Sequence, residues 1–186
     1  MLVSTEHGLH VRSRRGRNMT DLVPELLALP AGLVLDGELV GFRRGEPYFP
    51  LVGRRLLNGD RTVPLRLMIL DLLRIGGEDI THQPFRERRQ QLRWLDLNGP
   101  FWTTTELFDD GQALYQAVCE RGLEGVVAKW RKGRYTPGRV WVRGYSVRVA
   151  SEMRSGASAA QPITIEAVIR SWVSSRYCNS GMWEIT

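Results

Sequence analysis

Leu65-Arg66-Leu67-Met68-Ile69-Leu70-Asp71-Leu72-Leu73 is the stretch that most constrains the fold. A nearly unbroken apolar run of this length, rich in Leu and Ile, predicts a strand covered on both faces. Such a strand needs neighbours on either edge and layers above and below, so the chain must build a sheet around it. Asp71 is the anomaly. A carboxylate inside such a run is costly unless a cation or a set of donors meets it, so it must be paired or functional.

A second acidic strand follows the same logic. In Leu33-Val34-Leu35-Asp36-Gly37-Glu38-Leu39-Val40, period two sends Leu33, Leu35, Gly37 and Leu39 one way and Asp36 and Glu38 the other. Two carboxylates flanking a glycine on one face, between two valines, favour a site over a plain solvent face. A third acid, Glu124, opens Glu124-Gly125-Val126-Val127-Ala128-Lys129. This β-branched run follows a helix with Asp109 and Asp110 at its first turn, 113, 114, 117 and 118 on one face, and Gly122 at its end. Positions 124 and 129 differ in parity, so a regular strand would point them to opposite faces. For both to serve one pocket, Glu124 must precede the strand proper or Gly125 must sit in a bulge.

The remaining elements are a hairpin over Met1–Ser13 turning at Glu6-His7-Gly8, and a short helix from Thr20 or Asp21 to about Ala28. Leu51–Leu57 predicts an amphipathic helix. Pro84–Leu95 predicts another, with Phe85, Leu92 and Leu95 inward and its arginines outward. Phe101–Thr104 is a short strand. Val140–Val149 and Ile163–Trp172 are weaker strand candidates, separated by a small, polar linker-like stretch over 151–161. The fold class is α+β, with antiparallel-rich sheets flanked by helices, and residues 1–140 form a partial domain while 141–186 form a divergent or frameshifted tail.

A net charge of +6 admits a polyanionic partner without requiring one. Only two of the 26 basic residues are lysines, Lys129 and Lys132, which leaves two candidates for any lysine nucleophile. The arginine surplus suits bidentate phosphate contacts and equally fits a GC-rich genome. Four arginines crowd positions 12–17, as a solvated surface or as a phosphate or ribose contact. Two cysteines far apart give no metal framework. With no long apolar run and no signal peptide, the chain reads as cytoplasmic.

Taken in order, S-R-R-G, L-D-G-E-L-V, L-M-I-L-D-L-L, E-G-V-V-A-K and Y-T-P-G-R resemble the nucleotidyltransferase (adenylation) domain of ATP-dependent DNA ligases, nearest the bacterial end-joining kind, over about residues 2–143. The resemblance implies the ATP-grasp-like ligase adenylation fold lacking its first strand or strands. It implies nick sealing in DNA repair and recombination through enzyme-adenylate and DNA-adenylate, with ATP and a divalent cation (Mg2+ or Mn2+) as cofactors. Implied partners are nicked or broken double-stranded DNA and end-joining proteins, in a nucleoid-associated setting. Residue by residue, it places Arg14 on the nucleotide's sugar, Glu38 near ribose and metal, and Glu124 on the metal. Lys129 falls on the closing lysine of its motif, and Leu70 where an aromatic usually stacks on the base. Arg143, in Trp141-Val142-Arg143-Gly144-Tyr145, falls on the first lysine of W-x-K-x-K.

Departures accompany the likeness. No K-x-D-G nucleophile motif occurs in the 186 residues; it is expected just before Met1. Nothing beyond residue 143 resembles the oligonucleotide-binding domain that follows in the family. An incomplete gene product accounts for both. The alternatives are a non-catalytic nucleotide- or nucleic-acid-binding remnant and an RNA ligase or capping-type nucleotidyltransferase.

Overall fold

The computed structural model describes residues 1–120, 126–136, 142–144 and 163–166. The apolar run becomes β5 (Leu65–Ile75), and the acidic strand β3 (Leu33–Arg43) pairs antiparallel with it along its length. The N-terminal hairpin, β1 (Leu2–Ser4) and β2 (His10–Arg12), adds through β1 to the other edge of β3. The seven-stranded sheet runs β2-β1-β3-β5-β6, with β4 (Glu46–Pro47) on β3, β6 (Glu78–Asp79) on β5, and β7 (Trp102–Thr104) parallel to β5. The sheet's outer edge therefore belongs to β2, while β1 is paired on both sides.

The predicted helix over 20–28 is instead two 3-10 turns, Thr20–Leu22 and Pro24–Ala28. Pro24 starts the second turn, because its ring fixes φ and it has no N–H to continue the first. Helix α1 (Phe49–Asn58) ends at Gly59, whose φ of 71° is the left-handed conformation a helix stop requires. It packs on β3 at Gly41, where a side chain would meet Leu51 Cβ at 2.6 Å. Helix α2 (Phe85–Trp94) crosses β5.

A second, four-stranded sheet has the order β10-β9-β11-β8, formed by β8 (Leu107–Phe108), β9 (Val126–Trp130), β10 (Val142–Gly144) and β11 (Ile163–Glu166). Helix α3 (Gly111–Glu120) precedes β9. Strands β10 and β11 both lie past residue 140, and both pair with β9.

The core is made by Leu33, Leu35 and Leu39 of β3 and Leu65, Leu67, Ile69 and Leu72 of β5, joined by Val3, Val11, Leu26 and Leu92. The β5 residues change parity between 69 and 72, and the register explains why. Asp36 pairs with Asp71 while Gly37 pairs with Ile69, so Leu70 is an extra residue; a second shift leaves Leu73 unpaired. A bulge of this kind re-aims the side chains that follow it. Strict alternation would have sent Asp71 into the core with Leu67 and Ile69. The Leu70 bulge turns it onto the opposite face, beside Asp36.

Candidate active site

Asp71 is 1 % exposed and is met from three directions. Arg88 of α2 forks onto it, Nε donating to Oδ1 at 3.0 Å and Nη2 to Oδ2 at 2.8 Å. The Leu72 amide donates to Oδ1 at 3.0 Å. Lys129 of β9 approaches Oδ2 at 3.4 Å and donates to the Leu70 carbonyl at 3.1 Å. The bulge residue thus supplies a second anchor for the lysine, and the lysine ties the second sheet to the first.

The arginines of α2 were expected to face outward, and two of them do not. Phe85, Arg88, Arg89 and Leu92 follow helical spacing and all are buried. Arg88 is drawn in by the Asp71 carboxylate. Arg89 donates to the carbonyls of Ile69, Leu70 and Thr105, and so is held in the interior by backbone acceptors of β5 and the segment after β7. Arg88 also donates through Nη1 to the Gln83 carbonyl at 2.5 Å and the Gly133 carbonyl at 3.3 Å. The turn after β9 is fastened to the first turn of α2, the Phe85 amide reaching the Gly133 carbonyl and the Arg86 amide the Arg131 carbonyl. This closes a cavity of about 60 Å³ lined by Asp71, Phe85, Arg88, Lys129, Trp130 and Tyr135, among others. It has room for water-sized groups and is open to solvent on one side. Phe85 lies under the Lys129 ammonium at 4.7 Å from its ring centroid, a cation–π contact.

Asp36 sits next to this cluster in the same cross-strand row, Leu2–Asp36–Asp71. Its neighbours are looser: the Met1 ammonium at 3.6 Å and the Tyr135 hydroxyl, which donates at 3.5 Å. Burial raises the Asp36 carboxyl above its ordinary value, against the lowering pull of the Met1 ammonium and Lys129. Burial, with the charges of Asp36 and Asp71, likewise raises the Tyr135 hydroxyl. Gly37 follows because β5 passes too close for a side chain: a Cβ there would stand 2.7 Å from the Met68 carbonyl and 2.9 Å from Leu67 Cδ1. The spacing of the two acids around it is therefore a packing requirement as well as a chemical one.

Of the residues singled out in the sequence, Lys129 and Leu70 meet directly, through the Leu70 carbonyl. The Leu70 side chain is buried and lies outside the main core cluster. Glu38 is half-buried, two residues along β3 from Asp36 on the same face. Arg14 is exposed in the Ser13–Arg17 turn beyond β2. That turn follows β2, which is separated from β3 by β1. Glu124 and the Arg143 side chain lie outside the described residues; the Arg143 backbone pairs with Val127. Sequence reading missed Arg88, although the spacing 85, 88, 89, 92 was its signal, and it gave Tyr135 no role.

The domain described as "ATP dependent DNA ligase domain" matches residues 3–144. The multifunctional non-homologous end joining DNA repair protein LigD of Mycobacterium tuberculosis is 35% identical over 154 residues, covering 77% of this chain and 20% of that protein. A DNA ligase of Aeropyrum pernix is 28% identical over 158 residues, covering 74% of this chain and 26% of the relative. Among solved structures, a mycobacterial DNA ligase D complexed with ATP and MES superposes with a TM-score of 0.64 at 33% identity, over 76% of this chain and 49% of that one. The ligase domain of M. tuberculosis LigD gives 0.64 at 26% identity, over 89% and 76%. The chain spans about a fifth to a quarter of the length of these curated relatives. With a family match over residues 3–144 and the fold shared with the ligase domains, the chain belongs to the ATP-dependent DNA ligase family.

Proposed function

We propose that this chain binds ATP as part of the adenylation machinery of an ATP-dependent DNA ligase acting on nicked or broken DNA in end joining. The observation that carries this reading is the convergence of Lys129 from the second sheet on the Leu70–Asp71 bulge of the first. A lysine ammonium held at the edge of a mostly buried site, with Glu38 on the neighbouring strand, supplies the charge that nucleotide phosphates and ribose require. In this reading Lys129 and Arg143 meet phosphate, Arg14 and Glu38 the sugar, and Leu70 the base. Residues 1–140 are the adenylation domain, and 141–186 a divergent tail whose β10 and β11 pair with β9.

Among the described residues no group of three His, Cys, Asp or Glu side chains is placed to hold a metal ion. Asp36 faces the Met1 ammonium and Asp71 the Arg88 fork, and Glu38 stands on the same face of β3 as Asp36. An all-oxygen donor set suits a hard divalent cation, so Glu38 with Glu124 would hold Mg2+ or Mn2+. Such an ion would neutralise phosphate charge. No helix among the described residues is long and apolar enough to cross a membrane. This reading includes end-joining partners and a cytoplasmic, nucleoid-associated setting, and the mycobacterial relative's role as an end-joining DNA repair protein supports the first.

Neither lysine lies in a K-x-D-G frame, so the 186-residue polypeptide is expected to bind ATP without a covalent bond to it. Equilibrium dialysis with α-labelled ATP and Mg2+, followed by denaturing electrophoresis, tests both parts. Retained label that falls on Lys129→Met, with no labelled band after denaturation, is the expected result. A band abolished by substituting Lys129 or Lys132 would overturn the non-covalent reading, and binding indifferent to Lys129→Met would overturn the site.

A further inference from the structure

The Arg88–Asp71 pair is the one fully buried ion pair among the described residues of the site, at 2% and 1% side-chain exposure. We propose that Arg88 is a positioning residue that allows Lys129 to leave Asp71 for an anionic ligand; this rests on Lys129 being a nucleotide contact. Asp71 has about four acceptor positions. Arg88 takes two and the Leu72 amide a third, all at 2.8–3.0 Å. Lys129 takes what is left at 3.4 Å, well beyond the ~2.7–2.9 Å of a strong charge-assisted bond. One carboxylate thus stands between two cations.

The consequence is a low cost of transfer. Moving a lysine off a buried carboxylate that has no other cation would strand that charge, which is strongly unfavourable. With Arg88 in its fork, Asp71 stays neutralised when the ammonium swings toward the cavity mouth. Arg88 therefore acts on the ligand through Lys129 and does not touch it. Without Arg88, Asp71 would draw Lys129 in as its sole cation and hold it.

Two substitutions and one reversal test this on the full chain, with ATP as the probe and unchanged far-UV circular dichroism as the criterion of folding. Arg88→Met is expected to weaken ATP binding about tenfold or more, the scale of one charge-assisted contact. Arg88→Gln keeps a donor toward the carbonyls of Gln83 and Gly133 while losing the charge, and the same loss is expected. The double variant Asp71→Asn with Arg88→Met removes the trap, and affinity should return to within about threefold of the parent. A merely structural Arg88 predicts the opposite, a double variant no better than the single. Parent-like affinity in a folded Arg88→Met or Arg88→Gln, or no recovery in the double variant, overturns the proposal. Lys129→Met separates the two readings. If it binds ATP like the parent, the nucleotide reading fails; if it loses affinity and the Arg88 variants do not, only the positioning role fails.

Discussion

Asp36 and Asp71 stand side by side in one cross-strand row, yet their surroundings differ. Asp71 has a guanidinium fork, whereas Asp36 has an ammonium at 3.6 Å and a hydroxyl at 3.5 Å. Burial therefore dominates at Asp36 and raises its carboxyl above the ordinary 3.8. The folded state then keeps this proton to a higher pH than the unfolded chain does, so stability falls as pH rises through the interval above 3.8. Asp36→Asn should abolish that part of the slope, and the variant should gain on the parent as pH rises above 3.8. Urea midpoints measured across this range check it, and parallel profiles would contradict it. Arg55 is a buried cation of another kind, pairing with Glu25 at 2.7 Å and donating to the carbonyls of Leu22, Arg61 and Val63. Arg55→Met should cost about 3 kcal/mol in a denaturant titration, mostly from the stranded carboxylate and carbonyls.

At the scale of elements, β3 and β5 hold the site because their close approach is fixed by Gly37. Gly37→Ala would press a methyl group against the Met68 carbonyl and Leu67, and a paired backbone cannot yield cheaply. A loss of about 1–3 kcal/mol is expected. Gly53, inside α1, has nothing within 4 Å of an added Cβ. Gly53→Ala should stabilise by about 0.5–1 kcal/mol. Thermal midpoints moving in opposite directions for the two variants are the test. These elements were legible in the sequence to different degrees. The β3 alternation, the apolar β5 run and the N-terminal hairpin were readable because period two and turn residues are local. The Leu70 bulge was not, since an extra residue shows only against a partner strand. The inward face of α2 was obscured because its two middle positions are arginines, which composition assigns to solvent until Asp71 and the carbonyls of β5 claim them.

For the whole molecule, the site exists only where the two sheets meet. The first sheet supplies Asp36, Leu70 and Asp71; the second supplies Lys129 and, through the turn after β9, Tyr135. The order of the motifs made the ligase family readable from sequence, whereas the meeting of Lys129 with Leu70 and Asp71 follows from long-range pairing no local pattern encodes. That pairing includes β11, which lies beside β9 from more than thirty residues away. Having only Lys129 and Lys132 makes the central claim directly observable. In protein grown with lysine labelled at the ε-carbon, two side-chain signals are expected, assigned by Lys132→Arg. Titration with ATP and Mg2+ should shift the Lys129 signal saturably and leave Lys132 in place. An unmoved Lys129 signal at saturating ATP, or a shift confined to Lys132, would contradict the proposed site.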